Sequence, residues 1–372
     1  RYESSAASDV YKRQEQYNHY LKEIEPELDH NEEQIREWLE LNQDAPLISI
    51  IIPTYNTNSN HLRECIESVC RQSYPNWELC ICDDSSSAVS VKTILKSYQS
   101  LNPRIKLIFR EKNGHICEAS NDALRMATGE YVALLDHDDI LADNALYWVA
   151  RELQKKPQAN LIYSDEDKVN DDGMRACPHF KPAFNIDLLL SYNFISHLGV
   201  YRREILKQIG GFRVGFEGSQ DHDLALRTVL ESSPDQIIHI PRVLYHWRAH
   251  SESTASNPDS KDYTTESGHK AVQHFLDEQH RRGGVRATAR IKAKNRFTCQ
   301  WHIPEKSPSV ELIIPTRDQA EVLNLAVDSI ITKTTYTNYT ITVVDNQSEE
   351  VATKNLFKNL KRVHGEKINI IK

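Results

Sequence analysis

Three aspartates stand directly after an apolar run that is typical of a buried strand. Tyr131 to Leu135 is followed by Asp136, Asp138 and Asp139. Carboxylate oxygens suit a hard divalent cation such as Mg²⁺ or Mn²⁺, and such a cation can neutralise a diphosphate. Capping the helix that begins near Ala142 would need one aspartate rather than three, which favours a metal site at Asp136 and Asp138.

A second acidic group competes for the same role. The predicted strand Leu161 to Ser164 is followed by Asp165, Glu166 and Asp167. A turn stabilised by an aspartate side chain would explain these residues adequately. Spacing alone leaves the choice between the two clusters open.

Asp221 is a candidate general base. It follows Ser219 and precedes the helix-forming run Leu224 to Leu230. In the first turn of a helix, the dipole favours an ionised carboxylate, which could take the proton of an attacking hydroxyl. Capping of the same helix by Ser219 is the structural alternative.

The segment Tyr245 to His250 concentrates aromatic, basic and imidazole groups in six positions. An imidazole here, from His250 or from His246, could complete a metal shell. Arg248 could contact a phosphate.

Two short polar pairs follow successive predicted strands. Asp83 and Asp84 end one strand, and a carboxylate there could accept the N3–H of uracil or thymine. Asn113 and Gly114 follow the next strand. Each pair alone is common in plain turns, but their joint placement supports a shared binding site.

These residues are positioned by strands that alternate with helices. The strand runs lack strict alternation of apolar and polar residues, as in buried parallel strands. The predicted strands are Leu47–Pro53, Trp77–Cys82, Ile105–Phe109 and Tyr131–Leu135. The predicted helices span His61–Gln72, 90–100 and 116–127. We therefore expect an α/β fold with a mostly parallel sheet and ligands beyond the carboxyl ends of its strands.

The chain contains an internal repeat. Two prolines each precede a tyrosine, an asparagine and an aspartate by 21, 23 and 30 residues. The two sets are Pro53, Tyr74, Asn76, Asp83 and Pro315, Tyr336, Asn338, Asp345. Three matching offsets indicate duplication. The second copy is too short to bury its own sheet, so we expect the beginning of a second, truncated domain.

Five segments follow from these patterns. We expect a tail or cloning scar at 1–14, a helical lead-in at 15–46 and the main domain at 47–280. A linker at 281–309 precedes the second domain at 310–372. The linker region is basic, and we interpret it as a solvated face, with contact to anionic lipid as the alternative. Its basic residues are Arg281, Arg282, Arg286, Arg290, Lys292, Lys294 and Arg296.

Composition limits the function classes. The 372 residues are 39% hydrophobic and 26% charged, which is typical of a globular protein. The net charge of −8 argues against broad nucleic-acid binding. Seven scattered cysteines indicate buried thiols in a reducing compartment. Without a signal or an 18-residue apolar run, we expect a cytoplasmic protein that reaches any lipid-linked substrate from the membrane's inner face.

Six motifs in order resemble family 2 glycosyltransferases, which have the GT-A fold, over about residues 47–256. The last two resemble multi-domain members that build bacterial surface polysaccharides. The motifs are Ile51–Asn56, Cys82–Ser85, Asn113-Gly114 with Ala119 and Asn121, Gly129–Asp139, Gly218–Leu224 and His246–His250.

The resemblance implies inverting sugar transfer from a UDP- or dTDP-linked donor to a glycan or lipid-linked glycan. It implies Asp136 and Asp138 at ribose, diphosphate and a Mn²⁺ or Mg²⁺ ion, and Asp221 as the base, and so favours the first carboxylate cluster. The donor-binding set that we expect is Pro53, Thr54, Tyr55, Asp83, Asp84, Asn113, Gly114, Asn121, Asp136 and Arg248.

Some positions depart from the family pattern. Gln220 stands where glutamate is common, which affects how the acceptor is held. In the second copy, Arg317 replaces the tyrosine and Asn346 the second aspartate, so that its donor pocket would differ.

Two other functions remain as alternatives. Asp136 and Asp138 could be the nucleophile and acid of an aspartate-dependent phosphatase, although that pair normally follows a first strand. A glycan-binding or scaffold module could also keep the fold without the activity.

Overall fold

A computed structural model describes residues 12–249 and 262–372. The described chain forms two compact units that divide between Gln300 and Trp301. In the described part of the chain, no helix is both long enough and apolar enough to cross a membrane.

The first unit is built on a nine-stranded mixed sheet. Its strands are Ile48–Thr54 (β1), Trp77–Asp83 (β2), Ile105–Phe109 (β3), Tyr131–Leu134 (β4), Ile140–Leu141 (β5), Leu161–Val169 (β6), Arg175–His179 (β7), Gly199–Arg202 (β8) and Ile237–Arg248 (β9). The order is β3-β2-β1-β4-β8-β6-β9-β5, with β7 paired to β6. Strands β1 to β4 pair in parallel, and β8 is antiparallel to both β4 and β6.

Helices cover both faces of this sheet. They span Glu32–Leu41, Ser59–Cys70, Val89–Leu101, His115–Met126, Ala145–Lys155, Ile186–Ser191, Arg203–Gln208, Gln220–Leu230 and Asp262–Arg281. In β1, Ile50 and Ile52 join the core on one face of the sheet, whereas Ile51 joins the core on the other. Burial on both faces explains why the strands appear as unbroken apolar runs.

The predicted elements up to β4 agree with the structure to within two residues at each end. The predicted strand Leu47–Pro53 is β1, and the predicted helix His61–Gln72 spans Ser59–Cys70. The acidic group Asp165 to Asp167 differs from the prediction, because it lies inside β6 rather than in a turn. The alternation of strands and helices therefore predicts the α/β architecture correctly.

The lead-in segment is helical and packs against the sheet edge. Glu25–Leu28 is helical, and so are residues 12–19. The Tyr17 hydroxyl donates to Asp167 Oδ2 at 2.5 Å. Of the predicted tail 1–14, residues 1–11 lie outside the described part of the chain, and the Gln14 amide donates to the Arg175 carbonyl at 2.9 Å.

The segment predicted as a linker differs most from expectation. Residues 287–301 form a hairpin of Ala287–Ala293 (β10) and Arg296–Trp301 (β11). Ala287, Ala289 and Phe297 are buried in the core of the first unit. The basic residues alternate with these apolar ones, because strand side chains point to opposite faces in turn.

The second unit contains three parallel strands, Val310–Thr316 (β12), Tyr339–Asp345 (β13) and Ile368–Ile371 (β14). Two helices, Ala320–Lys333 and Val351–His364, accompany them. Its core contains Leu323, Val327, Tyr339, Ile341, Val343, Leu360 and Ile368, whereas Ile313 is 66% exposed.

The two repeat copies form equivalent hydrogen bonds. In the first, the Asn76 amide donates to Ala45 O, and Asn56 N–H donates to Ser86 Oγ, both at 2.8 Å. The equivalent bonds of the second copy have the same length. They join Asn338 to Ser307 and Asp318 to Ser348. The repeated spacing therefore encodes a repeated local structure.

Candidate functional site

A cleft of about 870 Å³ lies in the first unit at the carboxyl ends of β1 and β4. It contains many of the residues that the sequence predicts. Those lining it are Pro53, Thr54, Tyr55, Asp84, Asn113, Asp136 and Asp221. Asp83, Gly114, Asn121, Asp138 and Arg248 are not among the lining residues. His250 lies outside the described residues.

Asp84 is held firmly at one end of the cleft. Its Oδ1 accepts the Gly114 N–H at 2.9 Å and lies 3.0 Å from Arg110 Nε. The Asn113 amide donates to the Asp84 carbonyl at 3.2 Å. The two polar pairs predicted from the sequence are therefore in contact. Asp83 is instead buried, and its Oδ2 accepts the Ser86 N–H at 3.0 Å.

Asn121 links two elements behind the cleft. Its side-chain amide donates to Phe212 O and its Oδ1 accepts Phe212 N–H, both at 2.8 Å. A Cβ on Gly211, which has φ +67°, would lie 2.5 Å from Asn121 Oδ1. The contact of Asn121 with this turn therefore requires a residue without a Cβ at position 211.

The loop after β4 brings partly and fully buried carboxylates together. Ligand atoms of Asp136, Asp139 and His197 all lie within 4.8 Å of one another. Burial raises the pKa of Asp136, the nearby His197 ring acts against this shift, and Asp138 adds to it. Burial and the Asp136 carboxylate also hold the pKa of Asp139 well above its usual range. A cation bound here would remove the cost of burying these charges together.

Hydrogen bonds of Asp139 and Arg248 hold this loop in place. Asp139 Oδ2 accepts the Tyr245 hydroxyl at 2.5 Å, and its Oδ1 accepts the Arg248 N–H at 2.7 Å. The Arg248 side chain is 2% exposed, pairs with Glu64, and donates from Nε to the Asp138 carbonyl at 2.8 Å. The arginine that we predicted at a phosphate thus supports the backbone of the aspartate loop.

The competing acidic group is neutralised by its own partners. Asp167 Oδ1 lies 2.6 Å from His246 Nδ1, which engages the histidine considered as a metal ligand. Glu166 contacts Lys181 Nζ at 3.3 Å and His179 Nδ1 at 3.2 Å. Burial alone would raise the pKa of Glu166, but the Lys181 ammonium and the His179 hydrogen bond lower it to about 2. Glu166 nevertheless lines the cleft.

Asp221 lies in the first turn of Gln220–Leu230 and faces the cleft. Its Oδ2 accepts the Asn193 amide N–H at 2.7 Å. Ser219 does not cap this helix with its side chain, because its hydroxyl donates to the Thr264 carbonyl at 2.8 Å. Asp223, two residues further along the helix, is instead buried and forms an ion pair with Arg227 at 2.8 Å.

Sequence reasoning missed several residues of this cleft. Asn193 and His197 belong to the loop before β8, and no motif or spacing indicates them. Lys294 and Arg296 come from the tip of the hairpin β10–β11. Alternation of buried and exposed positions along the hairpin was the signal that could have indicated strands there.

Comparison with known proteins indicates the family to which this chain is related. Residues 49–210 match the family model described as glycosyl transferase family 2. Over residues 49–210 the chain belongs to glycosyltransferase family 2. With its mixed α/β sheet and the cleft at the strand ends, this family 2 glycosyltransferase has the GT-A fold. The assignment decides against the phosphatase alternative.

Two curated relatives are longer proteins. The uncharacterized protein y4gI of Sinorhizobium fredii is 43% identical over 85% of this chain and 34% of its own length. The O-antigen biosynthesis protein RfbC of Myxococcus xanthus is 35% identical over 82% of this chain and 23% of its own length. This family 2 glycosyltransferase chain therefore spans about a quarter to a third of these relatives.

A solved structure of TarS from S. aureus with UDP-GlcNAc is 19% identical to this chain. The likeness covers 63% of this chain and 72% of that one, with a TM-score of 0.49.

Proposed function

We propose that this chain is an inverting, metal-dependent glycosyltransferase. It moves a sugar from a UDP- or dTDP-linked donor to a hydroxyl of a growing bacterial cell-surface glycan. The observation that carries the proposal is the placement of Asp84, Asp136 and Asp221 in one cleft of the first unit. The name of the O-antigen relative supports the choice of a surface glycan.

The donor occupies the part of the cleft that is lined by Pro53, Thr54 and Tyr55. Asp84 receives the N3–H of the base, because Gly114 and Arg110 direct its carboxylate there. Asp83, Asn113 and Gly114 shape this turn, and Asn121 anchors the helix behind it. Positions 53–55 thus contact the donor directly, whereas the others act through Asp84 or through the backbone.

Asp136 and Asp138 would hold Mn²⁺ or Mg²⁺ in this proposal, and His197 has a ring nitrogen within 4.8 Å of an Asp136 carboxylate oxygen. The fit rests on Asp136, whose partly buried carboxylate lines the cleft and accepts no hydrogen bond from the described residues, and on the oxygen-rich loop. When bound, the cation neutralises charge that develops on the leaving diphosphate. Asp139 is already bonded through both oxygens, and Arg248 keeps the loop in place.

Asp221 acts as the general base. It takes the proton of the acceptor hydroxyl while that oxygen bonds to the anomeric carbon and the bond to the diphosphate breaks. Attack opposite the leaving group inverts the anomeric centre. Asn193 holds one carboxylate oxygen of Asp221, so that the carboxylate keeps its direction toward the cleft.

We place this reaction in the cytoplasm, with peripheral contact to the membrane where the acceptor is lipid-linked. All seven cysteines are unpaired, which supports a reducing compartment. As a further part of the proposal, residues 310–372 belong to a second domain of the same fold. Its turn carries Arg317 and Asn346 and so selects a different donor.

Calorimetric titration of the full chain with UDP, dTDP and GDP, each with Mn²⁺ and with EDTA, tests this function. We expect manganese-dependent binding of UDP or dTDP that is lost in Asp138→Ala. Absence of nucleotide binding by the folded protein would favour the scaffold alternative. Equal binding with EDTA would refute the metal dependence.

A further inference from the structure

The hairpin β10–β11 is part of the wall of the cleft. The Phe297 ring, 3% exposed, stacks 6.3 Å from the His222 ring between centroids. A Cβ on Gly268 would lie 2.8 Å from the same phenylalanine ring, so the glycine allows the hairpin to pack closely on Asp262–Arg281. This packing brings Lys294, Asn295 and Arg296 to the cleft.

Hydrogen bonds connect the hairpin tip to the segment that carries the proposed base. The hydroxyls of Thr264 and Thr265 each donate to Asn295 Oδ1 at 3.1 Å. The Ser219 hydroxyl in turn donates to the Thr264 carbonyl at 2.8 Å. Ser219 precedes Asp221 by two residues, so the tip lies at the base end of the cleft.

The tip supplies the permanent positive charge of the described cleft. Lys294 and Arg296 are the only lysine or arginine among the described residues that line it. Both side chains are exposed, and neither forms an ion pair with a carboxylate of the described residues. The Arg296 guanidinium stacks on the Tyr192 ring, 4.0 Å from its centroid, which limits the directions in which it can point.

None of the carboxylates that line the described cleft, Asp136 included, forms an ion pair with Lys294 or Arg296. Asp84 is paired with Arg110, and Glu166 is paired with Lys181. Glu217 accepts the Gly215 N–H with both oxygens at 3.0 Å. Asp221 accepts the Asn193 amide. Two exposed cations without an ion-pair partner among the described residues give this end of the cleft a positive charge that attracts an anion.

We propose that Lys294 and Arg296 form a subsite for an anionic group of the acceptor, beside the hydroxyl that faces Asp221. A uronic-acid carboxylate or the phosphate of a lipid diphosphate carrier has this chemistry, and a guanidinium binds either through paired hydrogen bonds. This inference rests on the proposed function. The donor diphosphate is a less suitable occupant, because Asp84 and Asp136 mark the donor end.

Binding to the full chain with Mn²⁺ and saturating UDP tests this subsite. The probes are a tetragalacturonate and geranyl diphosphate, with maltotetraose and geraniol as their neutral counterparts. We expect one anionic probe to bind at least about tenfold tighter than its counterpart, and which one does so identifies the source of the anion. The double variant Lys294→Gln/Arg296→Gln should lose this preference and retain its UDP affinity within about twofold.

Lys292→Gln is the matched control, because Lys292 is an exposed lysine of the same hairpin that does not line the described cleft. It should behave as the unaltered protein does, and thermal melting confirms that both variants fold. Equal binding of anionic and neutral probes overturns the subsite alone. If the double variant also loses UDP affinity, the two cations bind the donor diphosphate, and the acceptor subsite is likewise overturned. If UDP does not bind the unaltered protein, the proposed function fails and this inference with it.

Discussion

The side-chain amide of Asn193 donates a 2.7 Å hydrogen bond to Oδ2 of Asp221. The carbonyl oxygen of the same amide accepts the Ser196 N–H at 3.2 Å. This second bond determines which end of the amide faces the carboxylate, because only the NH₂ group can donate. No described residue donates to Oδ1 of Asp221, which leaves that oxygen for the acceptor hydroxyl.

Asn193→Ala should reduce turnover by roughly 10- to 100-fold, because a hydrogen bond to a charged group contributes about 1.5–3 kcal/mol. The UDP affinity should stay unchanged, since Asn193 acts on the base and not on the donor. Steady-state rates combined with UDP titration separate the two effects. A variant that loses UDP affinity and keeps its turnover would show that Asn193 serves the donor.

Asp221→Asn should lower the transfer rate by about 10²–10⁴-fold, the range for a positioned general base. The amide has nearly the same shape, so UDP binding should persist. Glu217→Gln is a suitable control, because Glu217 is another cleft carboxylate close in sequence and is engaged by Gly215. Full turnover of Asp221→Asn would mean that another group takes the proton.

Arg248→Met should destabilise the protein by roughly 1–3 kcal/mol, because the buried Arg248 side chain pairs with the half-exposed Glu64 and donates to the Asp138 carbonyl of the aspartate loop. Chemical denaturation measures this loss. Titration with Mn²⁺ should show weaker binding as the loop relaxes. A variant of normal stability that binds UDP weakly would instead support the phosphate contact predicted from the sequence.

Glu78 gives the fold a defined sensitivity to acid. Burial opposes ionisation, but Lys106 and hydrogen bonds from Thr128 and Ser49 lower the pKa of Glu78 from its ordinary value of 4.5 to about 2. The folded state therefore gains stability above about pH 4.5 and loses it as the pH falls toward about 2. Glu78→Gln should cost roughly 1–3 kcal/mol at pH 7 and flatten this dependence. Denaturation at several pH values checks both; an unchanged slope would contradict the assignment.

Local sequence features predict the parallel half of the sheet well. Strands β1 to β4 have apolar runs that both faces bury, and the helices between them have clear limits. The antiparallel strand β8 was not predicted, because its partners β4 and β6 are distant in sequence. Local patterns carry no information about such pairing.

The candidate site divides in the same way. Asp84 and Asp136 follow strands that the sequence indicates, and the structure places both in the cleft. Arg248 belongs to a recognisable motif, yet the sequence cannot indicate that its side chain turns beneath the loop. Asn193 and Lys294 reach the cleft through tertiary packing alone. Such residues can be assigned to the site only from the folded structure.

The matching hydrogen bonds of the two repeat copies have a practical consequence for engineering. Each bond joins residues about 30 positions apart within a single strand–helix–strand segment, such as Asn56 to Ser86 or Asp318 to Ser348. The hydrogen bonds that fix this turn therefore lie within one segment of each copy. Exchanging one copy for the other should therefore keep the hydrogen bonds within the turn, so that the proposed base contact can be tested in a different sheet.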